Sequence, residues 1–161
     1  MLKSNPKILY IDNNGNQGIA HALNVGAKRA NEEGYEWLLT MDQDSRFDPD
    51  MFKKYINCLN MISNSKEIAI ISPNYLTNTK IETSCSFKEK LTTITSGSLL
   101  NLLLYTNIGG FNEKLFIDEV DHDYCLRANL KNYGVVELEN IFMHHKLGNL
   151  DLIKRWENIN M

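Results

Sequence analysis

The chain lacks the features that would place it in several common classes. Its three cysteines, Cys58, Cys85 and Cys125, lie far apart and none belongs to a C-x-x-C pair, so neither a zinc ribbon nor a disulfide framework is suggested. Reduced thiols in a cytoplasmic protein are the expectation. Lysine and arginine, 17 in all against 20 acidic residues, are scattered rather than clustered. That distribution leaves no electrostatic footprint for nucleic-acid binding. The opening Met1-Leu2-Lys3-Ser4-Asn5-Pro6 has no apolar stretch resembling a signal peptide. The most apolar run, residues 99–105, contains Asn101 and is far shorter than the ~20 residues a membrane span needs. No G-x-G-x-x-G, internal repeat, low-complexity run or linker occurs either, which removes a dinucleotide-binding fingerprint and a division into domains.

What is present fits one soluble globular domain over residues 1–161, with 43% hydrophobic and 23% charged residues. Lys7-Ile8-Leu9-Tyr10-Ile11-Asp12 reads as a strand ending in the turn Asn13-Asn14-Gly15. Asn16 can cap a helix over residues 18–31 whose Ile19, Leu23, Ala27 and Ala30 share a face. Glu36-Trp37-Leu38-Leu39-Thr40-Met41 reads as a strand buried on both faces. Asp48-Pro49 opens a helix with a core stripe of Phe52, Tyr55, Ile56, Leu59 and Ile62. Residues 68–71 form a strand stopped by Ser72-Pro73, and the Thr- and Ser-rich stretch to Ser98 suits short strands and loops. A helix over residues 118–132 closes at Gly134, followed by two extended pieces, 135–138 and 141–144. From Leu150 the tail has helical spacing at Leu152, Ile153, Trp156 and Ile159. Alternating strands and helices joined by short connections give an α/β fold around a mainly parallel sheet flanked by helices.

Four clusters carry chemistry. Asp42-Gln43-Asp44 follows a strand, at the end that faces the ligand crevice in open α/β sheets. Two carboxylates so spaced on a turn can share a hard divalent cation that also binds phosphate oxygens, although acids gather in turns for structural reasons too. Asp118, Glu119, Asp121 and Asp123 open a helix ahead of Arg127. The helix dipole alone accounts for acids at Asp118 and Glu119, and less well for Asp121 and Asp123. His144-His145 could bind metal or simply sit at the surface. Asn16-Gln17-Gly18, with Ala22 and Asn24, stands at a helix start where a phosphate could rest.

In this order the segments resemble family 2 glycosyltransferases of the GT-A fold, specifically the bacterial rhamnosyltransferase-like branch. The resemblance is carried by Asn16-Gln-Gly-Ile-Ala with Ala22 and Asn24, and by Trp37-Leu-Leu-Thr-Met-Asp-Gln-Asp-Ser45. It continues through Ile94-Thr-Ser-Gly-Ser98, Ile108-Gly-Gly-Phe111, Leu115-Phe-Ile-Asp-Glu-Val-Asp121 with Cys125-Leu-Arg127, and His145-Lys-Leu-Gly148. It implies that Asp42 and Asp44 hold Mg²⁺ or Mn²⁺ against a donor diphosphate, with His145 completing the metal site. It places the general base at Asp121, with Asp123 and Arg127 in support. Asn16, Gly18, Ala22, Asn24 and Gln43 fall in its donor-binding motifs, and Thr95, Ser96 and Gly97 in the segment lining the pocket. The implied reaction moves a sugar, rhamnose from dTDP-rhamnose in this branch, to a saccharide or lipid-linked acceptor with inversion, in surface polysaccharide synthesis.

In that family two strands and their helices precede the segment matched by residues 8–12. The expectation is therefore a partial domain lacking the first strands, which binds donor weakly and self-associates through an exposed sheet edge. The tail from Leu150 suggests peripheral association with the inner face of the membrane. Haloacid-dehalogenase-like phosphotransferases also place D-x-D after a strand, but they continue with Gly-Thr, whereas this chain has Ser45-Arg46-Phe47. A transferase domain retained as a binding module is the non-enzymatic alternative.

Overall fold

The computed structural model of the protein describes residues 7–62, 67–75 and 84–144. Four helices and five strands lie within them: α1 (Ile19–Glu32), β1 (Trp37–Leu39), α2 (Pro49–Ile62), β2 (Ile68–Asn74), β3 (Phe87–Glu89), β4 (Leu99–Asn101), α3 (Leu102–Ile108), α4 (Val120–Leu130) and β5 (Gly134–Phe142). Pro49 takes the first position of α2, where its missing N–H would have no partner anyway, and Asp50 meets the positive helix end. Asn101 ends β4 and starts α3 at once, because its side chain accepts the N–H groups of Leu103 and Leu104.

The strands lie in the order β1-β4-β2-β5-β3. The α/β expectation holds, but the sheet is mixed rather than mainly parallel. Only β2 and β5 pair in parallel, while β4 runs against both β1 and β2, and β3 runs against β5. β1, β2 and β5 nevertheless point the same way, since helices carry the chain back between them; among the described residues no helix intervenes before β3 or β4. The loops after β1, β2 and β5 therefore leave from one end of the sheet, where the turn leading into β4 also lies.

Alternation along the strands fills two cores. Ile70, Leu100 and Val135 face α1, α3 and α4 with Ala20, Ala27, Tyr124 and Ala128. Ile71, Leu99 and Val136 face α2 through Tyr55, Cys58, Leu59 and Ile62. The sheet is the middle of three layers.

Several expectations change. Residues 7–12 form no strand: Ile8, Leu9, Tyr10 and Ile11 are exposed, Tyr10 by 67%, and no described strand lies alongside to pair with them. β1 is half-buried and sits at the sheet edge. β2 continues through Ser72-Pro73, because β4 pairs only as far as Ile71 and the proline costs no ladder bond on that side. The two pieces 135–138 and 141–144 are largely one bulged strand, β5, with Pro73 opposite Leu138 and Asn74 opposite Phe142. The cysteines are also not all thiols. Cys58 on α2 and Cys85 ahead of β3 form a disulfide with Cα atoms 5.5 Å apart, a proximity created by packing on one sheet face that their 27-residue separation conceals. Cys125 is a buried free thiol, pushed up to about 11 by burial. No helix among the described residues is long and apolar enough to cross a membrane. The tail from Leu150 lies outside those residues.

Candidate active site

Beyond β1 the chain stays tied to the turn that leads into β4. Thr40 N–H donates to the Ser98 carbonyl at 2.9 Å, and Gly97 N–H donates to the Thr40 carbonyl at 2.7 Å. The Thr40 hydroxyl donates to the carbonyls of Thr95 and Ser98. The acidic loop then closes on itself, Ser45 N–H donating to the Asp42 carbonyl at 3.2 Å. One side chain supports this loop from below. Ser96 Oγ accepts Asp42 N–H at 3.1 Å and donates to Ser45 Oγ at 2.8 Å. Met41, Asp42, Gln43 and Asp44 line an open depression of about 400 Å³.

Thr95, Ser96 and Gly97, expected to line the pocket, are buried, and Ser96 is 1% exposed. They brace the acidic loop. Tyr55 donates its hydroxyl to the carbonyls of Ile71 and Gly97. Gly97 has φ +74°, with Met143 and Pro73 occupying the space a side chain would need. Tyr75, the residue after β2, donates its hydroxyl to the Ser96 carbonyl at 2.9 Å.

Asp121 lies in the first turn of α4, half-buried, with Oδ1 accepting His122 N–H at 2.9 Å. Burial pushes the Tyr75 hydroxyl up to about 12, and the nearby charges of Glu137 and Asp121 add to the rise. Asp121 also helps raise Cys125, whose thiol points at the Thr93 carbonyl. The Asp121 carboxylate thus lies within electrostatic reach of Tyr75, which holds Ser96, which holds Asp42. Asp123 and Arg127 serve the fold directly. Arg127 pairs with Asp123 at 2.8 Å and donates to the carbonyls of Ile108, Gly109 and Gly110. Asp118 is exposed, while Glu119 is left-handed and reaches His122 Nδ1 at 2.9 Å.

The end of β5 meets the acidic loop as well. Arg46 and His144 exchange two backbone hydrogen bonds of 2.9 Å, and His144 Nε2 lies 3.0 Å from Asp48 Oδ2. His145 lies outside the described residues. Among those described, no group of three metal-ligating side chains assembles. Asp42 and Asp44 by themselves offer the oxygen ligands that Mg²⁺ and Mn²⁺ prefer, in an open depression that leaves room for water and diphosphate oxygens.

The start of α1 is occupied by the protein itself. Asn16 Oδ1 accepts Gly18 N–H at 3.0 Å, and Ile19 N–H donates to the Phe116 carbonyl at 2.8 Å. Ala22 is exposed on the first turns. Asn24 is a hub: it donates to the Phe111 carbonyl and Glu113 Oε1, and accepts from Phe111 N–H and the Tyr105 hydroxyl. Sequence reasoning missed Tyr75, Ser45 and the Arg46–His144 bridge. Tyr75 had a usable signal, since it directly follows the fully buried strand β2.

The model for glycosyl transferase family 2 matches residues 1–75. Over 155 residues the chain is 32% identical to the dTDP-rhamnosyl transferase RfbF of Shigella flexneri, a match covering 83% of this chain and 50% of that protein. The chain therefore spans about half the length of that relative. The acidic loop at one end of a mixed α/β sheet, the acid-rich start of α4 and both matches support one reading: residues 1–75 carry the glycosyl transferase family 2 pattern, and the chain is rhamnosyltransferase-like.

Proposed function

We propose that the protein transfers a sugar, rhamnose from dTDP-rhamnose, to a hydroxyl of a saccharide or lipid-linked saccharide with inversion at the anomeric carbon. The observation that carries this reading is the acidic loop beyond β1, braced by Ser96, together with α4, which returns the chain to β5 and so starts, with Asp121 in its first turn, at the same end of the sheet. A two-acid loop suited to a donor diphosphate and a separate carboxylate suited to an acceptor thus stand at one end of the sheet. Asp42 and Asp44 would hold Mg²⁺ or Mn²⁺, which supplies charge neutralisation to the departing nucleoside diphosphate. In this reading His145 is a further ligand, as the family resemblance implies.

The Asp121 carboxylate accepts the proton of the acceptor hydroxyl as that oxygen bonds to the anomeric carbon. The bond from that carbon to the diphosphate oxygen breaks, and dTDP leaves with the electron pair. One displacement in line inverts the centre. Ser96, held by Tyr75, keeps the acidic loop in shape while this happens.

The test is calorimetric titration of dTDP and of dTDP-rhamnose with Mn²⁺ present and withheld, followed by assay for free dTDP. Binding that requires Mn²⁺ and is abolished in Asp42→Ala and Asp44→Ala supports the reading. Metal-independent binding without turnover favours a binding module, and release of inorganic phosphate from simple phosphate esters favours a phosphotransferase.

A further inference from the structure

The segment leading to Asp121 holds an unusual backbone. Phe116 has φ +55° and ψ −65°, and Ile117 N–H donates back to the Leu115 carbonyl at 2.6 Å. Together these define a γ-turn of the rare, strained hand. Three residues later Glu119 is again left-handed, at φ +61°. Neither residue is asparagine or glycine, the types that tolerate such angles. The turn gains little from burial, since Phe116 is 44% and Ile117 65% exposed. Strain kept without a burial benefit is characteristic of segments that hold functional groups in place.

What holds the turn is the start of α1. The Phe116 carbonyl accepts Ile19 N–H, the first amide of that helix. Gly18, at φ +86°, sits directly against Phe116: a β-carbon there would come within 2.6 Å of the carbonyl oxygen and 2.8 Å of ring Cδ2. Asn16 in turn accepts Gly18 N–H and fixes the approach to the helix. On the far side, Val120 is buried and Asp123 N–H donates to the Glu119 carbonyl, so the turn runs straight into the first turn of α4. The glycine at the start of α1 is thus required by a loop nearly a hundred residues further along the chain.

We propose that Gly18 and Phe116 form a lock that positions the Asp121 carboxylate, Gly18 giving the room, Phe116 the backbone anchor and the ring that packs against Gly18. This inference rests on the reading of Asp121 as the base. Both are positioning residues, neither of which need touch a substrate. A role confined to stability would move the whole fold; a positioning role moves the segment 115–123 and the catalytic step alone.

Hydrogen exchange and transfer from dTDP-rhamnose, measured on the wild-type chain and on Gly18→Ala, Phe116→Ala and Phe116→Tyr, test it. In Gly18→Ala, exchange over residues 115–123 should rise by about tenfold or more while α2 and β2 keep wild-type protection. Phe116→Ala keeps the backbone bonds and removes the ring, and it decides the matter if Gly18→Ala does not fold. In both, kcat should fall about tenfold or more with donor KM within about twofold. Phe116→Tyr should match wild type in exchange and kcat. Unchanged exchange over residues 115–123 in the folded variants overturns the lock, and so does a loss spread evenly over the whole chain. A wild-type chain without any transfer would count against the proposed function instead, and the exchange comparison would still decide the lock.

Discussion

Replacing Ser96 by alanine removes one hydroxyl from beneath the acidic loop and tests whether that loop is held from below. Ser96 Oγ accepts Asp42 N–H and donates to Ser45 Oγ, and the side chain is 1% exposed. Its loss leaves the Asp42 amide without that acceptor, a change that costs about 1–3 kcal/mol where the group is fully buried. Asp42 is half-exposed, so water can reach its amide, and the cost should fall near the lower end, about 1 kcal/mol. In urea that displaces the unfolding midpoint downward by about 0.5 M for a typical m-value. The same variant should bind Mn²⁺ several-fold more weakly, because the spacing of Asp42 and Asp44 is no longer fixed. Ser98→Ala is the control: its hydroxyl donates to the Ile94 carbonyl rather than to a group of the acidic loop. It should lose comparable stability yet bind Mn²⁺ as wild type does. If Ser96→Ala matches wild type in both urea midpoint and Mn²⁺ affinity, the brace is not what shapes the loop.

Other perturbations read other parts of the structure. The Tyr124 hydroxyl is buried without a hydrogen-bond partner among the described residues, so Tyr124→Phe should raise Tm, by the equivalent of up to about 1 kcal/mol; a lower Tm would mean the hydroxyl is satisfied after all. Burial raises the Cys125 thiol to about 11 and the Tyr75 hydroxyl to about 12, and pushes Tyr55 and Tyr124 up as well. In the unfolded chain these groups lose protons from about pH 9 for the thiol and about pH 10 for the tyrosines, while the folded protein retains them. Stability is therefore intact below pH 9 and falls as pH rises towards 12, by about 1.4 kcal/mol per pH unit for each titrating group; a flat urea midpoint over that range would contradict the burial of these side chains. β1 pairs with β4 on one side only, and the apolar residues 8–11 stand exposed. A second copy should pair there, giving concentration-dependent dimers in sedimentation that Leu9→Lys disperses.

The helices were legible because their periodicity and end signals agree: α1 and α2 lie where the apolar spacing and the Asp48-Pro49 start put them. The strands were less so. Residues 7–12 have strand composition, but a strand exists only with a neighbour, and composition does not name one. The reversed course of β4 was hidden for the same reason, since Leu99-Leu100-Asn101 has the same pattern in either direction. At the candidate site, carboxylates following a strand or opening a helix could be singled out as candidates by type, as with Asp42, Asp44 and Asp121. The small residues around them could not be sorted that way. Asn24 and Arg127 look like ligand-binding side chains in sequence, yet Asn24 donates to the Phe111 carbonyl and Glu113, and Arg127 to Asp123 and the carbonyls of residues 108–110. Ser96 and Gly97 read as pocket lining and are buried beneath the acidic loop, because sequence does not reveal which side of a loop faces solvent.

The central claim is that Asp121 takes the acceptor's proton in a rhamnosyl transfer. Initial rates of labelled rhamnose transfer from dTDP-rhamnose to a saccharide acceptor, compared for wild type, Asp121→Asn and Asp118→Asn, test it most directly. Asparagine keeps the shape of the side chain and cannot accept the proton, so Asp121→Asn should lose about 10²-fold or more in rate with dTDP and Mn²⁺ affinity retained. Asp118→Asn should lose little, since that side chain is exposed ahead of the helix. Near-normal transfer by Asp121→Asn would remove Asp121 from the role of base.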